Sequence, residues 1–343
     1  RVTGAAAAPR TARPRPDRAR RRAGAPAHHD RMTHRISWPG GARFAFTVFD
    51  DPDAQTLAVG REVYALLADL GYHTTKGVWP VTGPGTPSDA GRTCDDPEHR
   101  DWIFRLREQG FEIGYHNTTQ HTSTREETRR GLSRMAELFG PEPLTMAQHF
   151  ACDENVYWGD KRVGGAQRLV YNLATRFQNA GRFHGEEPDH ALYWGDLCQE
   201  RIRYVRNFVF AEIDTLAACP WMPYHDPARP MVREWYASSE GANCRSFVHT
   251  VREANQDRLV ESGGACIMYT HFGHGYVRDG RLDPEFVRLM TRLAGLGGWF
   301  VPVRTLLEFL RARRGGGEHV LTDAQRRTLE RRWIWHKLRF GTA

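Results

Sequence analysis

From residue 43 onward, short apolar runs and longer amphipathic stretches take turns along the chain. RFAFTVF (43–49) alternates as a strand does, AQTLAVGREVYALLADLG (54–71) repeats its apolar positions at helical spacing and stops at Gly71, and YHTTKGVWP (72–80) is strand-like again. A Gly/Pro/Ser loop (81–96) leads to a predicted helix at 97–110, a strand at 111–116, a helix at 124–140 and a strand at 143–150. Beyond a long middle section come strands at 201–211 and 265–271, a helix at 283–297, a strand at 299–303 and a helix at 304–314. Strand-helix units repeated in this way predict an α/β fold with a parallel sheet. Six or seven of them in about 270 residues fit one (β/α) barrel better than two domains. The expected layout is a barrel over 41–312 with an aromatic-rich insertion at about 150–245, followed by a linker and helix at 313–343.

Charge changes the picture only at the start. Residues 1–31 hold nine Arg against Asp17 and Asp30, which equals the formal excess of +7 for the whole chain. The rest is neutral, so a basic nucleic-acid-binding core is excluded and no nucleic-acid partner is expected. Residues 1–40 read as a disordered Arg/Pro/Ala-rich tail, because too few large apolar side chains are present to offset the entropy of ordering them. An extension upstream of a start at Met32 is the preferred reading of 1–31 over a nucleic-acid arm or an address. No run approaches the roughly 18 apolar residues of a membrane span, and no signal-peptide pattern is visible. The six cysteines stand far apart without a C-x-x-C pair, which reads as reduced, buried thiols in a cytoplasmic protein; export is left open.

In a barrel of this kind the working side chains sit at the C-terminal ends of strands. Asp50 and Asp51 end the first strand, with Asp53 just beyond. The same stretch also reads as a helix cap, Asp followed by Pro. Two adjacent carboxylates at a crowded rim repel unless a cation or shared proton intervenes. His116 follows the third strand and His121 lies in the loop after it, His149 ends the fourth, and His271 ends a late apolar strand, with His274 after it. Each imidazole has an ordinary structural reading. Two histidines and a carboxylate from another strand also make an open zinc site, with a further histidine beside it as general acid.

The Asp pair after strand one, the His pair after strand three and the late strand ending in His together resemble the metal-dependent polysaccharide deacetylases of carbohydrate esterase family 4, in a divergent branch. The resemblance implies a partly open (β/α)7 barrel that hydrolyses N-acetyl groups on sugars. It implies Asp50 as the catalytic base, Asp51, His116 and His121 as ligands of a divalent metal, most suitably zinc, and His271 as the catalytic acid. Co, Ni, Mn and Fe fit the same ligand types. The sequence departs from the family pattern at three places. His116 and His121 are separated by four residues instead of three, Pro52-Asp53 replaces Gly-Pro, and the Arg-x-Pro-aromatic segment is absent from MAQHFACDENVYWG. Arg206 is then the candidate to orient the base by another route, and His149 the candidate to enter the site.

The segment 150–245 is rich in aromatic residues, Tyr157, Trp158, Tyr193, Trp194, Trp221, Tyr224, Trp235 and Tyr236. Such rings on loops suit stacking on sugars, and packing on the barrel is the plainer alternative. Trp158, Trp221, His225 and Asp226, with His149 and Arg206, are the expected substrate-binding residues. The basic helix TDAQRRTLERRWIWHKLRF (322–340) is expected to pack on the barrel or on a second copy of the chain. The partner expected is an N-acetylated sugar or polysaccharide. Hydrolysis of another amide or ester bond, or an inactive carbohydrate-binding barrel, is the alternative.

Overall fold

The computed structural model describes residues 36–87 and 90–343, so the reading of the N-terminal tail lies outside the described residues. The first strand, β1 (Phe44–Asp50), is buried along its whole length. Its side chains alternate between two environments. Phe46 meets Tyr72 on the outer face, whereas Phe49 points into the barrel, against Gly77 and Gly114, where an added Cβ would come within 3.0 and 2.8 Å of its ring. These two glycines leave the room that a central phenylalanine needs.

Six further strands follow in chain order: β2 (Thr75–Val78), β3 (Glu112–Tyr115), β4 (Leu144–Met146), β5 (Ile202–Phe210), β6 (Glu234–Ser239) and β7 (Ala265–Thr270). All are parallel, each pairs with the next, and β7 returns to β1 over six residue pairs from Ala45↔Ala265 to Asp50↔Thr270. The expected partly open barrel is therefore a closed seven-stranded one. β2 joins β1 only at its end, at Phe49 and Asp50, which leaves the first half of that edge free. A later strand covers it through Phe44↔Gly298 to Phe46↔Phe300, so no long backbone edge stays unpaired.

The helices are α1 (Leu57–Asp69), α2 (Pro97–Glu108), α3 (Arg125–Phe139), α4 (Gly165–Ala174), α5 (Gly195–Arg201), α6 (Thr215–Ala218), α7 (Cys244–Thr250), α8 (Glu253–Ser262), α9 (Pro284–Ala294), α10 (Val303–Arg313) and α11 (Asp323–Phe340). A two-stranded hairpin, β8 (Val277–Arg278) and β9 (Arg281–Leu282), precedes α9, and β10 (Gly298–Phe300) is the covering strand. Local chemistry sets several boundaries. Thr56 caps α1, Asp96 caps α2 ahead of Pro97, and Thr124 with Glu127 forms a reciprocal capping box on α3. Because Thr56 does the capping, Asp51, Pro52 and Asp53 are left in the loop at the barrel mouth rather than spent on a helix start.

The described residues form one compact unit. The segment 150–245 contains two barrel strands, β5 and β6, and most of its rings are packing groups: Trp194, Tyr224, Trp235 and Tyr236 are all buried. α11 lies on the barrel, with Trp333 stacked on Tyr171 and tilted against Phe208. All six cysteines are buried and unpaired. Among the described residues no helix is long and apolar enough to cross a membrane.

Candidate metal centre

Alternation along β1 decides which aspartate does what. Phe49 faces inward, so Asp51 does too, and Asp50 faces the helices. There Asp50 pairs with buried Lys76 at 2.9 Å and accepts hydrogen bonds from the Gln55 amide, the Tyr64 hydroxyl and the Phe272 N–H. This corrects the expectation that Asp50 is the base: its carboxylate is engaged on the outer side of the strand.

Asp51 is gripped by Arg206 through two parallel contacts, 3.0 and 2.6 Å. Arg206 sits just before an irregularity in the β5–β6 register, between Arg206 and Val209, and reaches across the barrel to the end of β1. Its guanidinium also lies over the Tyr269 ring at 4.3 Å. The predicted link between Arg206 and a strand-one aspartate is thus present in the geometry, made to Asp51.

The convergence point is Asp53. His116 Nε2 stands 3.2 Å from one of its oxygens and His149 Nε2 stands 2.9 Å from the other. One ligating atom from each of the three residues lies within 4.8 Å of the others. Neither imidazole has the alignment of a hydrogen bond, however. Asp53 Oδ2, both ring nitrogens of His116 and Nε2 of His149 are buried with no hydrogen-bond partner. Buried polar atoms left in this way are costly, and several of them facing one small volume is what a cation site requires. Burial pushes the Asp53 carboxyl up, but the charge of His116, the close approach of His116 and His149, and His271 outweigh it and hold the pKa well below the usual range. Two imidazoles and one carboxylate therefore fit a divalent cation with an open coordination position.

His271 completes the rim. Its Nδ1 donates to the Ala242 carbonyl at 2.6 Å, which directs Nε2 toward Asp51 and Asp53 at 3.8 and 3.9 Å and toward the Tyr269 hydroxyl at 3.4 Å. Asp51, Asp53 and His271 form a second overlapping group of ligand type.

The loops that carry the two histidines are tied together. Asn117, in the left-handed region at φ 59°, accepts from the His149 N–H and donates to both Glu154 and Asn155. Asn155 in turn donates to the His149 carbonyl at 2.6 Å. Burial raises the Glu154 carboxyl to about 7 against the hydrogen bonds it accepts. Cys152 Sγ lies 3.5 Å from His149 Nδ1.

Other expected site residues lie elsewhere. His121 is not brought into the cluster: its Nε2 accepts from the Gly85 N–H and its Nδ1 donates to the Thr122 carbonyl, which pins the loop after β2. His225 donates to the Arg233 carbonyl, and its backbone bonds to His319 and Leu321. Asp226 pairs with Arg229 and Arg326. Both residues thus anchor the segment that leads into α11, instead of reaching a substrate. Trp221 is packed against the core, and Arg314 holds its carbonyl. Trp158 is half-buried, with the Arg162 guanidinium 3.5 Å over its ring. Phe150, which the sequence did not single out, stands exposed beside His149.

Fold and site together define a (β/α)7 barrel with a buried Asp/His group able to hold a metal ion. No family model matches the chain, and no curated protein matches it. Among solved structures it is similar to one described as a "putative polysaccharide deacetylase from Mycobacterium smegmatis", at 14% identity and a TM-score of 0.49, covering 84% of this chain and 96% of that one. A second likeness is to a dimeric archaeal Rubisco from Hyperthermus butylicus, at 15% identity and a TM-score of 0.30, covering 88% and 66%.

Proposed function

We propose that this protein is a metal-dependent hydrolase that removes N-acetyl groups from a sugar or polysaccharide. The observation that carries the reading is the convergence of unpartnered Asp53, His116 and His149 atoms at the barrel mouth, with Asp51 and His271 on the rim. Asp53, His116 and His149 are assigned as the metal ligands, and zinc as the ion. A divalent cation held there would supply Lewis acidity toward an acyl carbonyl and make water more acidic.

Asp51 is the group that takes a proton. Arg206 fixes both of its oxygens, so the carboxylate keeps one orientation without a side chain having to reorganise. His271 is the group that returns a proton to the leaving nitrogen. Its Nδ1 contact with Ala242 fixes the ring and leaves Nε2 as the atom facing the substrate. The exposed ring of Phe150 offers an apolar face to a sugar at the edge of the site.

Elemental analysis of the purified protein, paired with an acetate-release assay on N-acetylated sugars, tests the reading. About one divalent ion per chain, lost in His149→Ala, and acetate release abolished by chelation and restored by zinc would support it. A wild-type protein that stays metal-free after reconstitution, or acetate release indifferent to chelation, would overturn it.

A further inference from the structure

Nine large apolar side chains stand exposed among the described residues, and seven of them lie on α4, the turn after it and the end of α11. Leu169, Val170, Leu173 and Phe177 are 43–60% exposed, and Trp335, Leu338 and Phe340 are 51–59% exposed. Tyr171 is the one buried residue of α4, and it stacks on Trp333 of α11. At ~100° per residue, Leu169 and Leu173 each stand about 160° around α4 from Tyr171, and Trp335 stands as far around α11 from Trp333. These side chains therefore point away from the contact that holds the two helices together. A scattered apolar residue at a surface is ordinary, whereas a cluster on one pair of packed helices marks a place where something else is met.

The charges around the cluster select the partner. No Asp or Glu occurs in 161–185, which holds five Lys and Arg, or in 331–343, which holds four. Some of these cations are matched from elsewhere: Lys161 by Glu186 and Glu187, Arg168 by Asp160, Arg182 by Asp153 and Arg332 by Glu212. Arg176, between Leu173 and Phe177, is exposed, as are Arg331 and Arg339, one turn to either side of Trp335. Among the described residues no carboxylate lies within ion-pair distance of these three. A two-fold contact between copies of the chain would set such arginines against their own counterparts. An anionic lipid surface instead takes apolar side chains into its acyl boundary, accepts Trp at the interface and pairs Arg with its headgroups.

We propose that the outward faces of α4 and α11 dock the protein peripherally on an anionic membrane surface. Leu169, Leu173, Phe177 and Trp335 enter the acyl boundary, and Arg176, Arg331 and Arg339 meet the headgroups. Neither helix crosses the bilayer, in keeping with the absence of a spanning helix among the described residues.

The test is cosedimentation of the full chain with vesicles of phosphatidylcholine, with and without phosphatidylglycerol at about a quarter of the lipid. Wild type should bind the anionic vesicles at least about tenfold more tightly than the neutral ones. Leu169→Ser with Leu173→Ser, and separately Trp335→Ser, should each weaken that binding at least about tenfold, because each removes large apolar area from the contact. Every variant keeps residues 1–31, whose nine arginines attract anionic lipid by themselves, so the comparison between variants reads the helices alone. No binding by wild type, or either variant binding as tightly as wild type, overturns the proposal. So does a dimer of wild type that the same substitutions dissociate and that ignores vesicles, which would make the surface an interface between copies. Should a variant fail to fold, Ala174→Cys carrying an environment-sensitive dye serves instead, since Ala174 is exposed and the six native thiols are buried. Its emission should shift to the blue on anionic vesicles, and unmoved emission overturns the proposal equally.

Discussion

Arg206 holds Asp51 by both carboxylate oxygens, at 3.0 and 2.6 Å, across the inside of the barrel. Both partners are buried, so removing one leaves a charge uncompensated. Arg206→Ala should cost roughly 3–5 kcal/mol of stability. Arg206→Lys keeps the charge but loses the fork that fixes the carboxylate. It should fold more nearly like wild type in a urea titration while losing kcat more than it raises KM.

Asp51 and Asp53 are two residues apart and should separate cleanly on mutation. Asp53→Asn removes a ligand and should lose the metal. Asp51→Asn should keep about one ion per chain and lose turnover by about 10²–10⁴-fold, the usual contribution of a positioned base. Metal content measured beside acetate release distinguishes the two, and metal lost in Asp51→Asn with metal kept in Asp53→Asn would reverse the assignment.

Gly273 lies against the loop that carries Asp53. A Cβ built there would come 2.4 Å from the Asp53 carbonyl oxygen and 2.5 Å from the Ala54 carbonyl carbon, backbone atoms that cannot swing aside. Gly273→Ala should cost about 1–3 kcal/mol. By moving Asp53 it should also weaken metal affinity about 10–100-fold, as loss of a ligand's support does. Zinc competition with a chromophoric chelator measures the second effect.

Asp50 and Lys76 form an ion pair with both side chains fully buried. Lys76→Met leaves Asp50 unpaired and should destabilise by about 3–5 kcal/mol, whereas Lys76→Met with Asp50→Asn should recover much of that loss. A double-mutant cycle in urea reads the coupling. Neither single variant should change metal content, which follows from Asp50 facing the helices.

The barrel was legible because its strands and helices differ in period and each segment is long enough to show it. Two strands of 150–245 illustrate the limits. RIRYVRNFVF reads as β5, but EWYASS, six residues with two large rings, looks like a loop with stacking aromatics until the barrel needs a sixth strand. The site was legible as a set of strand-end residues: His116, His149 and His271 all stand at the mouth. Its assignments failed where register mattered. Asp50 and Asp51 are neighbours, so a one-residue difference sends them to opposite faces of β1. The inward face of β1, Phe49 then Asp51, with Asp53 two residues further, was the available signal. His121 was persuasive only by its proximity to His116, and nothing in the sequence shows that the glycine loop at 83–85 comes back to occupy its ring.

His99 supplies a pH dependence independent of the metal site. It lies in α2, both ring nitrogens are buried without a hydrogen-bond partner, and burial, then the nearby charge of Lys76, lower its pKa to about 3. The folded chain therefore keeps this imidazole neutral where the unfolded chain, titrating near 6.5, has taken up a proton. The associated stability is complete above pH 6.5 and is lost as pH falls from 6.5 toward 3, by up to about 1.4 kcal/mol per pH unit. Carboxylates held low, such as Asp53, add their loss in the same direction only below about pH 4, whereas Glu154, raised to about 7, gains stability as pH falls through the same window and opposes it, so the His99 contribution is the difference between wild type and a His99 variant. Between pH 7.5 and pH 5.0, urea unfolding should show the stability of wild type falling by about 2 kcal/mol relative to that of His99→Met. An equal change in both proteins would place the pH sensitivity elsewhere.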